Sequence, residues 1–236
     1  MPKKMRMIET LFTLGAGSDG ARVALTAGAV SVSVAYLALV NGGPSALRTV
    51  VKTLPMVMLS LLVLSFLRVS SELSPDLILL ALALALSALG DFFLALKDQS
   101  RFFVLGLGSF LLAHVAYLAL FLRLASLPST LALVVIAACF VSALLSLYRA
   151  YPHMGRLKVP VFAYFGVIMA MVAAALSIPH APWWLGFGAA LFAFSDSLIA
   201  VRKFLAPFAL INEAIWVTYV VAQFLILGAM LQLIIP

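Results

Sequence analysis

The sequence predicts an all-α polytopic membrane protein with eight transmembrane helices packed in one bundle. Of its 236 residues, 65% are apolar and 10% are charged, and the mean hydropathy is +1.21, which is more apolar surface than a water-soluble domain can bury. The apolar residues run without interruption over stretches of about 20 residues, the length that crosses a hydrocarbon core about 30 Å thick. Such continuous runs exclude a membrane β-barrel, whose strands alternate apolar and polar residues.

Charges and prolines divide the chain into eight apolar stretches. The predicted spans are residues 23–40, 50–67, 77–96, 102–122, 131–147, 159–178, 183–201 and 211–235. The second span is the least regular, because Lys52 and Pro55 lie near its start. The longest connection covers only residues 148–158, so we expect no inserted soluble domain and a single transmembrane domain over residues 23–236.

The loops predict the orientation of the helices. The odd-numbered loops carry nine Lys and Arg residues, whereas the even-numbered loops and the C-terminus carry two. This asymmetry predicts cytoplasmic odd-numbered loops and both termini outside, in a multi-pass integral membrane protein. Residues 1–22 are expected to form an interfacial or disordered tail, because their apolar stretch is too short for a signal peptide. The four basic residues of that tail argue for the opposite orientation.

The composition also argues against several classes of function. The net charge of +7 does not indicate a nucleic-acid partner, because the basic residues occur singly or in pairs between apolar runs. The sequence has one cysteine, Cys139, so no disulfide within the chain and no cysteine-based zinc site can form. His114 is the one histidine inside a predicted span, which argues against a zinc ion on three histidines. We therefore expect no metal ion and no other cofactor.

Ionisable side chains within the spans identify a candidate site, because inserting each one costs about 2.5 kcal/mol or more. Asp91 and Asp196 each lie five residues from the end of a span, or about 8 Å inside the odd-loop edge. Lys52 and Glu213 open spans at the same edge, so four charges from four helices are expected at one depth. Deeper polar side chains extend a predicted funnel toward the midplane: His114, Tyr117, Tyr219 and Gln223.

A weak internal repeat relates the two halves of the chain. The segment around Asp91 aligns with the segment around Asp196, 105 residues later, and Lys52 has a counterpart in Lys158. Two parallel four-helix halves would place the aspartates at equivalent positions about an axis along the membrane normal. A chance match stays an alternative, because apolar helices align with one another easily.

Structural roles, without catalysis, can also account for these charged and polar residues within the spans. Each aspartate can pair with a loop base, and Lys52 can extend its amine to the interface. Glu213 can be an interfacial residue, and His114 and the intramembrane tyrosines can join helices by hydrogen bonds. The loop bases available for such pairing are Lys97, Arg101 and Arg202.

Two carboxylates at matched depth leave acid–base hydrolysis as the favoured chemistry. A serine nucleophile is less favoured, because Ser195 lies beside Asp196 but has no histidine in its own segment. A proton-coupled carrier or lipid scramblase can use the same carboxylates, and a structural membrane partner without turnover is a third alternative.

Five short motifs follow one another along the predicted spans. They are Gly90-Asp91-x-x-Leu94, Phe103-x-x-Gly106-x-x-x-Phe110-x-x-x-His114-x-x-Tyr117, Pro160-Val161-x-x-Tyr164, Gly188-x-x-x-Phe192-x-x-Ser195-Asp196-Ser197-x-x-Ala200 and Tyr219-x-x-Ala222-Gln223. Together they resemble the YhhN-like lysoplasmalogenase family, from about residue 23 to the C-terminus. One departure occurs at Lys52 to Pro55, since the family often has proline directly after the lysine.

The resemblance implies a membrane hydrolase that cleaves the vinyl ether bond of lysoplasmalogens. The products would be a fatty aldehyde and glycerophosphoethanolamine or glycerophosphocholine, with a lysophospholipid as substrate and no cofactor. The catalytic pair favoured in the family corresponds to Asp91 and Asp196. We expect these aspartates to face each other across one apolar cavity, with Asp196 as the proton donor and Asp91 as the ionised stabiliser of the cation.

Further side chains complete the expected site. His114 would assist catalysis by positioning water and the ether oxygen. Lys52, together with Arg101 or Arg202, would hold the phosphate. The remaining residues expected at the substrate are Tyr117, Tyr164, Ser195, Glu213, Tyr219 and Gln223.

Overall fold

The computed structural model describes residues 19–67, 74–97 and 99–235. These residues form eight α-helices, in the order of the predicted spans, and no strand occurs among them. The helices are α1 (Asp19–Tyr36), α2 (Ala46–Leu67), α3 (Pro75–Ala95), α4 (Gln99–Leu124), α5 (Thr130–Ala150), α6 (Lys158–Leu176), α7 (Trp183–Phe204) and α8 (Ile211–Ile234). Seven of them, α2 to α8, are long and apolar enough to cross a membrane, whereas α1 is shorter. The predicted all-α, polytopic membrane class is therefore confirmed, and a membrane crossing by α1 stays a prediction.

The first two helices differ most from their predicted limits. Helix α1 begins and ends four residues earlier than the predicted span 23–40. It ends at Tyr36 because the chain turns directly after this residue. Helix α2 begins at Ala46, where the Ser45 hydroxyl accepts a hydrogen bond from the Arg48 backbone N–H at 3.2 Å, as an N-terminal capping residue does. It continues through Pro55. The first 18 residues of the predicted tail lie outside the described part of the chain.

The chain divides into two compact units. Unit 1 comprises residues 1–120 and 227–236, which include α1 to α3, most of α4 and the end of α8. Unit 2 comprises residues 121–226, which include the end of α4, all of α5 to α7 and most of α8.

In unit 1, helix α3 packs against both α2 and α4. The α2 face toward the core is apolar and fully buried at Met56, Leu59 and Leu62. The Ser60 hydroxyl on α2 donates a hydrogen bond of 2.9 Å to the Ala81 carbonyl of α3. On the α4 side, the Gly90 backbone lies against the Phe110 ring, because a Cβ atom added at Gly90 would lie 2.6 Å from that ring. These contacts fix the last turns of α3.

In unit 2, helix α7 packs against α6 and α8. The Ser195 hydroxyl on α7 donates a hydrogen bond of 2.9 Å to the Ile215 carbonyl of α8. Helix α5 is the least buried of the seven long helices: 11% of its most apolar stretch is buried, against 61% for α8. Two 3₁₀ turns join α5 to α6, and Gly155, which begins the second turn, has a φ of +50°, which glycine adopts without strain. This turn brings Met154 into the interior, where its exposure is 2%.

Candidate active site

Asp91 forms an ion pair inside unit 1. Its Oδ1 atom lies 3.3 Å from the Nζ atom of Lys52, and the two side chains are 3% and 13% exposed. Asp91 stands four residues before the end of α3, and Lys52 lies in the second turn of α2. The two residues are therefore brought together by the packing of α2 against α3.

The ion pair lowers the free-energy cost of the buried carboxylate. Burial of an isolated charge costs several kcal/mol, and a close opposite charge offsets part of that cost. This partner is a lysine on a neighbouring helix, which was not among the loop bases considered as alternatives. Lys52, which was expected at the phosphate, thus lies directly at the carboxylate.

Asp196 has a different environment, inside unit 2. Its Oδ2 atom accepts a hydrogen bond of 2.6 Å from the Tyr164 hydroxyl of α6. Both side chains are half-buried, and both line a cavity of about 70 Å³ that is bounded by α5, α6 and α7. The structure thus joins two residues that the motifs had named separately.

The cavity beside Asp196 is almost entirely apolar. Its α5 side carries the buried residues Leu147 and Ala150, and Met154 packs with them in one cluster. Its α6 and α7 sides carry Met169 and Ala193. The Asp196 carboxyl group and the Tyr164 phenol therefore line a cavity whose other walls are mostly apolar.

His114 and Tyr117 are fully buried on α4. The His114 Nδ1 atom lies 2.6 Å from the Phe110 carbonyl oxygen. Because a carbonyl oxygen only accepts hydrogen bonds, Nδ1 carries the hydrogen, and in the neutral ring Nε2 carries the lone pair. Phe110 is also the residue whose ring contacts Gly90, so His114 is anchored next to the α3 turn that carries Asp91.

The other predicted site residues of unit 2 lie on α7 and α8. Ser195 bonds the Ile215 carbonyl, and the Tyr219 ring packs against Phe192 with 5.4 Å between ring centroids. Gln223 is fully buried and Glu213 is half-buried. A carboxylate in the first turn of α8, where Glu213 lies, is favoured by the helix dipole. Their roles at a substrate stay predictions.

The structure thus brings together two pairs of predicted residues, one in each unit. Lys52 meets Asp91 in unit 1, and Tyr164 meets Asp196 in unit 2. The expected approach of the two carboxylates across a single cavity stays a prediction.

Sequence reasoning missed the walls of the Asp196 cavity. Small residues recur there at helical spacing, three or four residues apart, on the facing sides of α5 and α7. They are Ala143, Ser146 and Ala150 on α5, and Ala193, Ser197 and Ala200 on α7. This pattern was visible in the sequence, but small residues on apolar helices more often indicate close helix packing than a cavity.

Residues 47–230 match the model of the YhhN family. The chain belongs to the YhhN family. The resemblance carried by the five motifs is thereby confirmed, and Asp91, His114, Tyr164 and Asp196 all lie within the matched segment.

Curated relatives of this YhhN family member include bacterial and mammalian proteins. A lysoplasmalogenase of Mycobacterium bovis is 39% identical over 149 residues, which cover 61% of this chain and 57% of the relative. The lysoplasmalogenase TMEM86A of Bos taurus is 30% identical over 195 residues, which cover 80% of each chain. The human TMEM86A gives the same identity and coverage. No solved structure matches the chain.

Proposed function

We propose that this protein is a lysoplasmalogenase, which hydrolyses the vinyl ether bond of a lysoplasmalogen to a fatty aldehyde and a glycerophospho-base. The names of the relatives supply the reaction. The structural observation that carries the proposal is the Asp196–Tyr164 pair, which opens onto an apolar cavity in an integral membrane protein. A lysolipid carries its reactive bond between a polar headgroup and a hydrocarbon chain, and this site joins the same two environments.

In our proposal, Asp196 is the proton donor. It transfers its proton to the β-carbon of the vinyl ether, which produces an oxocarbenium ion. Water adds to the cationic carbon and returns a proton to the Asp196 carboxylate, which gives a hemiacetal. Asp196 then protonates the ether oxygen as the carbon–oxygen bond breaks, and the hemiacetal hydroxyl returns its proton to Asp196. One water is consumed and the acid is regenerated.

Asp91 is proposed as the ionised carboxylate that stabilises the cation. A positive charge 3.3 Å away favours the charged form of a carboxyl group. Lys52 has three N–H donors, so it can pair with Asp91 and still donate to a phosphate oxygen, assisted by Arg101 or Arg202. His114, with its lone pair on Nε2, is proposed to orient water together with Tyr117.

Tyr164 is proposed to hold the Asp196 carboxyl in one orientation. Its hydroxyl donates to Oδ2, and the carboxyl group held in this way exchanges protons with the substrate. Ser195, Glu213, Tyr219 and Gln223 are proposed to support this arrangement from α7 and α8.

Release of aldehyde by the purified protein in detergent tests the proposal. Lysoplasmenyl-ethanolamine in D₂O should yield an aldehyde with one deuterium on the carbon next to the carbonyl, because the first step protonates that carbon. The matched alkyl ether lysolipid, which lacks the double bond, should yield no product. Absence of aldehyde, or an aldehyde without deuterium at that carbon, would contradict the proposed chemistry. Detergent also removes the sealed compartments that a transporter needs.

We also infer that all eight helices cross the bilayer, with the odd-numbered loops in the cytoplasm. Single cysteines test this at Ser45, before α2, and at Ser126, after α4, in a Cys139→Ala background. In intact cells, an impermeant maleimide should label Ser126→Cys and leave Ser45→Cys unlabelled. The reverse pattern would contradict the orientation, and equal labelling of both would contradict the crossing by the helices between them.

A further inference from the structure

A second cavity of unit 2 adjoins the one beside Asp196. Its volume is about 410 Å³, and it is bounded by α5, α6 and α7, as the first cavity is. Five residues line both cavities: Ala143, Ser146, Met169, Ala193 and Ser197. The two spaces therefore share a wall, and only small or flexible side chains form it.

On α7 the second cavity extends from Ala190 to Val201, to both sides of the level of Asp196, and on α5 it reaches Ala138 and Cys139. On α5 the first cavity instead extends to Ala150, at the end of the helix. The second cavity therefore continues beyond the first one toward the beginnings of both helices. Six residues separate Ala190 from Asp196, which corresponds to about 9 Å along the helix axis. Together, the two spaces follow α5 and α7 from near their ends toward the middle of the hydrocarbon layer.

The lining of the second cavity is largely apolar, although it contains the three serines Ser142, Ser146 and Ser197. The Ser146 hydroxyl donates to the Ser142 carbonyl at 3.2 Å, and the Ser197 hydroxyl donates to the Ala193 carbonyl at 2.9 Å. Hydroxyls that bond a carbonyl one turn back on their own helix offer no hydrogen to a ligand. The remaining lining residues are mostly alanine, leucine, valine, methionine and phenylalanine. Hydrocarbon is the chemistry that fits such a space.

We propose that the second cavity holds the alkenyl chain of the substrate, and that Ala190 and Cys139 limit the length of chain that is accepted. This inference rests on the proposed function, because it takes the vinyl ether to lie at Asp196. An extended chain advances about 3.3–3.6 Å for every three bonds. The roughly 9 Å between Asp196 and Ala190 thus corresponds to about eight bonds. Ala190 should therefore contact the chain near its eighth carbon.

Ala190→Phe tests this length limit. Against a series of lysoplasmenyl lipids with chains of 8 to 18 carbons, the variant should lose about tenfold or more in kcat/KM for the long chains, as a filled apolar pocket does. Its activity on the 8-carbon chain should stay close to that of the wild type. Val141→Phe is the matched control, because Val141 lies on the exposed face of α5. That variant should leave the length profile unchanged. An unchanged profile in Ala190→Phe would overturn the inference.

Cys139 supplies a readout that does not depend on activity. It is the one cysteine of the chain and lines the second cavity. A long-chain alkyl ether lysolipid should therefore slow its modification by an apolar maleimide, whereas an 8-carbon analogue should protect it much less. Protection without aldehyde release would support the chain cavity and reject the reaction. Aldehyde release without protection by the long chain would support the reaction and reject the chain cavity.

Discussion

The two units hold their aspartates in different ways. In unit 1, Asp91 is buried and pairs with the cation of Lys52. In unit 2, Asp196 is half-buried, accepts a hydrogen bond from the neutral hydroxyl of Tyr164 and lines a cavity. In each unit the partner comes from the helix directly before the one that carries the aspartate: α2 before α3, and α6 before α7.

In our proposal this difference gives the two aspartates, which the predicted internal repeat would relate, different roles. A cation beside a carboxylate favours the charged form, whereas a hydroxyl can donate to either form. Lys158, the counterpart of Lys52 in the internal repeat, instead lies over the Tyr151 ring, with Nζ 4.0 Å from its centroid. In unit 2 a phenol binds the aspartate. In our proposal, unit 1 supplies the ionised carboxylate and unit 2 supplies the carboxyl group that exchanges protons.

Asp196→Asn should have the largest effect on activity. The amide cannot donate a proton to carbon, so kcat should fall by about 10²–10⁴-fold, the usual contribution of a general acid. The side chain keeps its size and still accepts a hydrogen bond from Tyr164, so the denaturation midpoint in detergent should change little. Aldehyde release and thermal unfolding should be measured on the same preparation.

Asp76→Asn is a suitable control for that prediction. Asp76 lies in the first turn of α3, so the same exchange of acid for amide occurs on an apolar helix, at the end far from Asp91. Its aldehyde release should stay near that of the wild type. An Asp196→Asn variant as active as this control would remove Asp196 from the proposed mechanism.

The ion pair of unit 1 can be tested with a double-mutant cycle. Lys52→Met leaves the buried Asp91 charge without this cation and should destabilise the protein by about 3–5 kcal/mol. Adding Asp91→Asn removes that charge, so the double variant should regain most of the lost stability. If Asp91 is the ionised stabiliser, the double variant should nevertheless stay inactive. Recovery of activity together with stability would show that the pair has only a structural role.

Much of the fold follows from the sequence, because membrane insertion imposes simple constraints. Helices of about 20 apolar residues and the charges between them determine the element order, so all eight helices lie close to the predicted spans. The ends of α1 and α2 were less predictable. There, Ser45 and the turn after Tyr36 set the limits, and neither feature changes the hydropathy.

The candidate site was predictable in its residues but not in their pairing. Asp91 and Asp196 stand out because charges are rare in apolar runs. The choice of partners depends on which helix faces pack together, and hydropathy does not contain that information. From the sequence, Lys52 was expected at a phosphate, and one alternative paired Asp91 with a loop base. The packing of α2 against α3 brings Lys52 and Asp91 together. The Asp196 cavity was missed because its walls are ordinary small residues.

Tyr164→Phe should have a smaller effect than either carboxylate variant. It removes the hydroxyl that binds Asp196 Oδ2 and keeps the ring that lines the cavity. A hydrogen bond between neutral groups contributes about 0.5–1.5 kcal/mol, so kcat should fall about two- to tenfold while KM changes little. A drop as large as that of Asp196→Asn would make Tyr164 a direct participant rather than a positioning residue.

Gly→Ala substitutions compare the helix packing at one position in each unit. They are expected to have the smallest effects of the variants considered, and these effects are on stability. At Gly90, an added methyl would lie 2.6 Å from the buried Phe110 ring, so Gly90→Ala should destabilise the protein by about 1–3 kcal/mol, as overpacking does. At Gly166 on α6, nothing lies within 4 Å of the added atom. Gly166→Ala should therefore stabilise the helix by up to about 1 kcal/mol. The denaturation midpoints of the two variants and of the wild type check both values. Equal midpoints would show that α3 and α4 can move apart without loss of stability. The opposite signs are expected because Gly90 lies in a close contact between α3 and α4 in unit 1, whereas Gly166 lies on the exposed face of α6 in unit 2.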